Sequence, residues 1–199
     1  MSIVVALTVF AAILPAELPD KTFVATLVLS TRFRPLPVWV GASAAFVVQT
    51  LVAVTAGGLL ALLPKQPVRA TTAALFFAGA VVLLAMKEPA EAEANEVEAD
   101  VAAVTEPSFR RIALTTFGVL FAAEWGDLSQ LLTAAFTARY RDPVGVGVGA
   151  TAALVLVAGL GALSGRALLR VVPAVWLRRI AACVFGAFAV ITAVDAARL

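Results

Sequence analysis

Histidine is absent from this chain of 199 residues, and cysteine occurs once, as Cys183. A single thiol excludes an intrachain disulfide and a thiolate metal cluster. Any metal site must therefore use oxygen ligands, which suit Mg²⁺, Ca²⁺ or Mn²⁺ better than Zn²⁺ or Cu⁺. Charge is scarce as well. Only 14% of residues are Asp, Glu, Lys or Arg, where a soluble domain carries roughly a quarter. The net charge of +2 offers no footing for nucleic acid, because the arginines fall at the ends of apolar segments. No nucleophile–base pair and no phosphate-binding loop is present, so the chain does not read as an enzyme. The first apolar stretch has no basic start and outruns the core of a signal peptide, so it is expected to persist as a helix.

What the chain does have is apolar sequence, 62% of it. A helix needs about 20 apolar residues to cross the hydrocarbon core. Six stretches qualify: Ile3–Thr31, Leu36–Leu63, Val68–Met86, Ile112–Ala138, Val144–Leu163 and Ala174–Val194. Pro35, Pro37, Pro64, Pro67, Pro143 and Pro173 punctuate them. The expected fold class is all-α, a polytopic membrane protein of six transmembrane helices. Between the third and fourth stretches, Glu88, Glu91, Glu93, Glu96, Glu98, Asp100 and Glu106 mark a solvated linker. Residues 1–87 then form one three-helix unit, 88–109 the acidic linker, and 110–199 a second three-helix unit.

The two units resemble each other. Glu124 follows Glu17 by 107 residues, and Asp127 follows Asp20 by the same interval. Arg32-Phe33-Arg34 matches Arg139-Tyr140-Arg141 at that offset, as Gly79 matches Gly186. One residue out of phase, Gly41-Ala42-Ser43-Ala44 resembles Gly149-Ala150-Thr151-Ala152. Three helices per repeat force opposite orientations, so the expectation is a pair of inverted repeats with a midplane site between them. Lys and Arg set the orientation. Nine of them, Arg32, Arg34, Lys87, Arg110, Arg111, Arg166, Arg170, Arg178 and Arg179, fall on one side. Five, Lys65, Arg69, Arg139, Arg141 and Arg198, fall on the other. The larger set is expected inside a prokaryotic cytoplasmic membrane, with both termini outside and the acidic linker inside.

The chemistry lies in the repeated acids. Glu17-Leu18-Pro19-Asp20-Lys21-Thr22 and Glu124-Trp125-Gly126-Asp127-Leu128-Ser129-Gln130 each sit in the middle of an apolar stretch. The i,i+3 spacing puts both carboxylates of a pair on one helical face. Ionisable groups at membrane depth are costly and point to function. Four such acids need counter-ions. A hard divalent cation and protons can supply these in competition, which is the basis of an exchange cycle. Pro15 and Pro19 cannot donate to the carbonyls of Ala11 and Pro15, so helix 1 is expected to break or kink there, beside the acids. Gly126 loosens the equivalent place in the second half. Thr22, Gln49, Ser129 and Gln130 are further candidate ligands. For Gln49 the competing role is an interhelical hydrogen bond. Lys21 is either a site member or a snorkelling side chain.

These two segments resemble the twin Glu-x-Gly-Asp-(Lys/Arg)-(Thr/Ser) motifs of the Gdt-type cation/proton exchangers, also called the transmembrane-protein-165 family. The resemblance spans six helices, two repeats, an acidic central loop and one motif per first helix. It implies export of Mn²⁺, and in some members Ca²⁺, against protons, with the cation as transported substrate and no permanent cofactor. By position it assigns the ion-site acids to Glu17, Asp20, Glu124 and Asp127. Pro19 replaces the first motif's glycine, and Leu128 the second motif's basic residue. Partners are then a divalent cation, protons and the lipid bilayer. Two other readings compete: an exporter of small cationic solutes such as lysine, and a non-transporting membrane scaffold. Trp39 and Trp176 fit interfacial anchors, and Cys183 reads as a buried apolar residue.

Overall fold

The computed structural model describes residues 2–18, 21–62, 64–85, 108–171 and 174–197. The acidic linker lies outside these residues, as do Pro19 and Asp20. The described part is all-α, with eight helices: α1 (Ile3–Glu17), α2 (Lys21–Arg32), α3 (Pro35–Leu60), α4 (Lys65–Ala85), α5 (Phe109–Ala123), α6 (Leu128–Tyr140), α7 (Pro143–Val171) and α8 (Ala174–Ala197). Six apolar stretches thus carry eight helices, because the first and the fourth are each interrupted. The second segments start at Lys21 and Leu128, again 107 residues apart.

Local chemistry sets several of the ends. Pro35 and Pro143 open α3 and α7, where a missing N–H costs nothing and a fixed φ suits the first turn. Ser108 caps α5 by accepting from the Arg111 amide. Arg141 ends α6 in the left-handed conformation (φ 53°), with its N–H on the Thr137 carbonyl. Asp142 follows, and its carboxylate accepts from the Gly145 and Ser2 amides. Those bonds hold it below the usual carboxylate range. They also tie the start of α1 to the start of α7.

The helix pairings exchange when the two halves are swapped. Helix α1 lies on α7 as α5 lies on α3; α2 lies on α7 as α6 lies on α3; α4 pairs with α8, and α3 with α7. The closest approaches repeat too. A Cβ on Gly41 would strike the Ala113 carbonyl of α5, and one on Gly149 the Ala6 carbonyl of α1. Gly57 meets Ala134 and Thr137 of α6, and about one turn out of that register Gly161 meets Phe23 and Thr26 of α2. Small residues let helix backbones pack this closely where burial in lipid gives helices no hydrophobic reason to associate. The symmetry is incomplete: α1 also reaches α8, and α4 reaches α6, to an extent that their counterparts do not match.

The core is filled by Ile13, Phe46, Leu120, Leu132 and a ring cluster of Phe76, Phe136, Phe185 and Phe188. The Phe76 and Phe136 centroids stand 4.7 Å apart, and Phe188 meets Phe136 edge-on at 5.0 Å. The outside is also apolar. Leu7, Leu51, Phe77, Leu114, Leu163 and Val190 are all more than half exposed. A surface this apolar suits lipid better than water. Pro35–Leu60 and Pro143–Leu163 are long and apolar enough to cross a membrane.

Two smaller expectations are corrected. Cys183 is exposed rather than buried, because it lies on the outward face of α8. Trp39 is more than an interfacial anchor. Its indole N–H donates to the Val155 carbonyl of α7 at 3.0 Å, and its ring packs beside Gly159.

Candidate ion site

The second acidic segment is fully described. Glu124 is the C-cap of α5 (φ −98°, ψ 10°), and its N–H bonds to the Leu120 carbonyl. Trp125 and Gly126 turn the chain, with Gly126 at φ +76°. That conformation costs a glycine nothing and other residues roughly 1–2 kcal/mol. Asp127 then caps α6 from an extended backbone (φ −67°, ψ 173°). Its Oδ1 accepts from the Gln130 amide at 2.9 Å and its Oδ2 from the Ser129 hydroxyl at 2.9 Å. The single helical face expected for Glu124 and Asp127 is therefore not formed. The two acids straddle a helix break, because Gly126 turns left-handed and Asp127 bonds the backbone in front of it instead of continuing the helix.

Gln130 braces that break. Its Oε1 accepts from the Gly126 amide at 3.2 Å, and its Nε2 donates to the Glu124 carbonyl at 3.0 Å. A second support comes from α3. The Phe121 carbonyl belongs to the last turn of α5, where carbonyls lose their partners at i+4. The buried Gln49 donates to it at 3.2 Å. Gln49 thus makes the interhelical hydrogen bond foreseen as its competing role. Thr133 and Thr137 return their hydroxyls to α6 itself, on the carbonyls of Ser129 and Thr133.

In the first half, Glu17 is the last residue of α1, and Leu18 caps it with an N–H on the Leu14 carbonyl at 3.2 Å. The expected interruption near Pro15–Pro19 is present, since α2 starts anew at Lys21. Pro15 itself stays inside α1. Asp20 and the side chains of Lys21 and Thr22 lie outside the described residues. Glu17 is 3% exposed and Glu124 1%, so the two glutamates occupy equivalent helix ends and both are buried. Among the described residues, no group of three or more Asp, Glu, His or Cys side chains stands close enough to hold a metal ion. Glu124, Asp127, Ser129 and Gln130 are gathered at one break, Gln49 supports it, and Glu17 closes the other.

Sequence reasoning missed the brace. A glutamine three residues after the Asp was readable as an N-terminal helix signal, but its return to Glu124 and Gly126 depends on the turn. It also missed a network at the far end of α6. Arg139 donates to the Thr192 hydroxyl and pairs with Asp195 at 3.2 Å across to α8.

Comparison with known proteins places these features. The family model described as "Divalent cation/proton antiporter GDT1" matches residues 5–91 and 112–199. GDT1-like protein 4 of Oryza sativa subsp. indica is 32% identical over 155 residues, covering 70% of this chain and 55% of its own length. A GDT1-like protein of Synechocystis sp. is 29% identical over 161 residues, covering 76% of this chain and 78% of its own. GDT1-like protein 5 of Arabidopsis thaliana is 29% identical over 182 residues, with 77% and 79% covered. The chain thus spans about half the length of the rice protein. No solved structure matches it.

Proposed function

The chain belongs to the GDT1 family of divalent cation/proton antiporters, membrane transporters and not enzymes, and from that premise we propose that it exchanges Mn²⁺ or Ca²⁺ for protons at a site shared by Glu17, Asp20, Glu124 and Asp127. The observation that carries this reading is the burial of Glu17 and Glu124 at matching ends of two interrupted helices. A carboxylate in such surroundings keeps its charge only beside a counter-ion. A proton and a divalent cation can each serve, and serving in turn is exchange. Interrupted helices contribute as well, because the carbonyl ends of α1 and α5 favour cations while the break leaves backbone oxygens to be satisfied. With no histidine and only hard oxygen donors at hand, Mn²⁺ and Ca²⁺ fit better than Zn²⁺.

The swapped helix pairings support two inverted three-helix repeats, 1–87 and 110–199, joined by the linker 88–109. In that arrangement α1–α2 and α5–α6 are two broken spans, making six crossings in all. Rocking one repeat against the other would expose the site to each side alternately. The distribution of Lys and Arg favours both termini outside and the acidic linker inside a prokaryotic cytoplasmic membrane.

The test is proton movement in sealed proteoliposomes on addition of Mn²⁺, Ca²⁺, Mg²⁺ and lysine in turn. Mn²⁺ or Ca²⁺ should drive protons the opposite way, and lysine should not. Proton movement with lysine alone would favour the organic-cation exporter. None with any solute, from correctly inserted protein, would leave the scaffold reading.

A further inference from the structure

A cavity of about 280 Å³ opens between α4, α6 and α8, lined by Arg69, Arg139, Arg141, Asp195, Thr72 and Thr192 among others. Three guanidinium groups share this space with one carboxylate, a surplus of two positive charges among the described lining residues. Each arginine has a structural task. Arg69 donates to the Asp195 backbone carbonyl at 2.9 Å, and Arg141 to the Ala61 carbonyl at the end of α3 at 2.9 Å. Arg139 bonds the Thr192 hydroxyl and the Asp195 carboxylate. Capping of helix C-termini explains the first two bonds. It does not explain why three arginines converge on one cavity, nor the donors left over.

A guanidinium has five N–H donors. Among the described residues, the hydrogen bonds of Arg69 and Arg141 occupy one nitrogen each and go to neutral carbonyls, which carry no charge to offset theirs. The Arg139 Nε is buried and has no hydrogen-bond partner among the described residues. The buried Thr72 adds a hydroxyl. Arg139 and Arg141 stand at the last turn of α6, Asp195 in the last turn of α8 and Arg69 near the start of α4. The cavity therefore sits at one end of the bundle, where a membrane surface would lie.

We propose that this cavity is a binding site for a phosphate oxyanion. Guanidinium forks match phosphate oxygens in geometry and charge. The phosphate can come from a lipid headgroup or from free inorganic phosphate, and the chemistry of recognition is the same. The site is separate from the helix breaks and does not depend on the exchange reading.

The experiment uses the purified full chain in two arms. In the first, lipid-stripped protein in neutral detergent is titrated with inorganic phosphate, against chloride at matched ionic strength, and thermal unfolding is followed. In the second, protein reconstituted with phosphatidylglycerol and phosphatidylcholine is examined by native mass spectrometry for retained lipid. The double variant Arg69→Gln/Arg141→Gln keeps the Arg139–Asp195 pair. It should weaken binding about tenfold or more, the loss expected when charge-assisted hydrogen bonds go. Arg69→Lys keeps the charge, removes the fork and should weaken binding by less. Selective retention of phosphatidylglycerol assigns the lipid source; a phosphate-specific rise in Tm without retained lipid assigns the free ion. Binding of neither by folded wild-type protein overturns the proposal, and so does unchanged binding by the double variant. If the double variant does not fold, Arg69→Lys decides by the same criteria: unchanged binding there reduces the arginines to helix caps.

Discussion

The two interruptions, one after Glu17 and one after Ala123, the neighbour of Glu124, are followed by new helices at Lys21 and Leu128, 107 residues apart, and their sequences differ. In the second, Gly126 supplies a left-handed turn, Asp127 caps the next helix and Gln130 bridges the gap. At the 107-residue offset the first has Pro19 in place of Gly126 and Phe23 in place of Gln130. Phe23 is buried and has no amide with which to bridge. A proline interrupts by withholding a donor, whereas a glycine interrupts by admitting a turn that then needs bracing. Beyond the breaks the halves agree again. Thr26 returns its hydroxyl to its own helix at the Phe23 carbonyl, three residues back, and its counterpart Thr133 does so at the Ser129 carbonyl, four back. What the repeat preserves is the position of the interruption and of the buried glutamate; the residues at the interruption differ.

The strongest challenge to this equivalence is removal of one glutamate at a time. Glu17→Gln and Glu124→Gln should each cut cation-driven proton flux by about 100-fold or more, since even outer-shell partners of a metal are worth roughly 10–100-fold. Both proteins should remain folded, because neutralising a buried acid removes a charge that needs a partner. Wild-type flux in one variant and none in the other would break the comparison at the site itself.

Next in size are the helix crossings. Gly41→Ala and Gly149→Ala each drive a methyl group into a backbone carbonyl, of Ala113 and Ala6, and overpacking of that kind costs about 1–3 kcal/mol. Unfolding in detergent should give similar losses for the two. A large loss in one alone would confine the repeat to sequence.

The breaks themselves can be exchanged. A Cβ at Gly126 meets nothing within 4 Å, so Gly126→Ala isolates the strain of the left-handed backbone, about 1–2 kcal/mol, and should slow transport. Pro19→Gly places the second half's residue in the first and should retain transport, whereas Pro19→Ala should stiffen the segment and slow it. Equal rates in all three would make the interruptions incidental to the mechanism.

The smallest effect concerns a feature that only the second half has. Asp142 caps α7, whereas the N-cap of α3 is Arg34, whose side chain makes no capping bond. Its carboxyl is held below the ordinary value of 3.8, by the amide of Gly145 first and that of Ser2 second. A depressed value stabilises the fold above the ordinary one and loses that contribution as pH falls through the lowered one. Asp142→Asn should flatten the acid end of the stability profile and leave it unchanged at neutral pH. A profile that keeps its acid slope in the variant would place the titration elsewhere.

Much of the frame was legible from the chain. Pro15, Pro19 and the acids around them announced the first break, while at the 107-residue interval Gly126 was read only as a loosened place in the second half. The shared helical face for Glu124 and Asp127 was misread, because i,i+3 spacing implies one face only while the helix continues. Ser129 and Gln130, read as ligands, spend their polar atoms on Asp127 and on the backbone of the turn. Gln49 makes the bond that was its alternative role, from Nε2 to the Phe121 carbonyl.

Composition, periodicity and the repeat interval determined by themselves that the chain is helical and apolar, and that Glu17 and Glu124 fall at equivalent, buried places. These are properties of residues and their neighbours along the chain. Tertiary structure alone decided which partner each freed polar group would find: Gln49 for a carbonyl 72 residues away, Asp195 for an arginine 56 residues before it. In an apolar interior an unmet carbonyl or guanidinium must bond to whatever the neighbouring helix presents, and which helix is the neighbour is set by packing between distant segments.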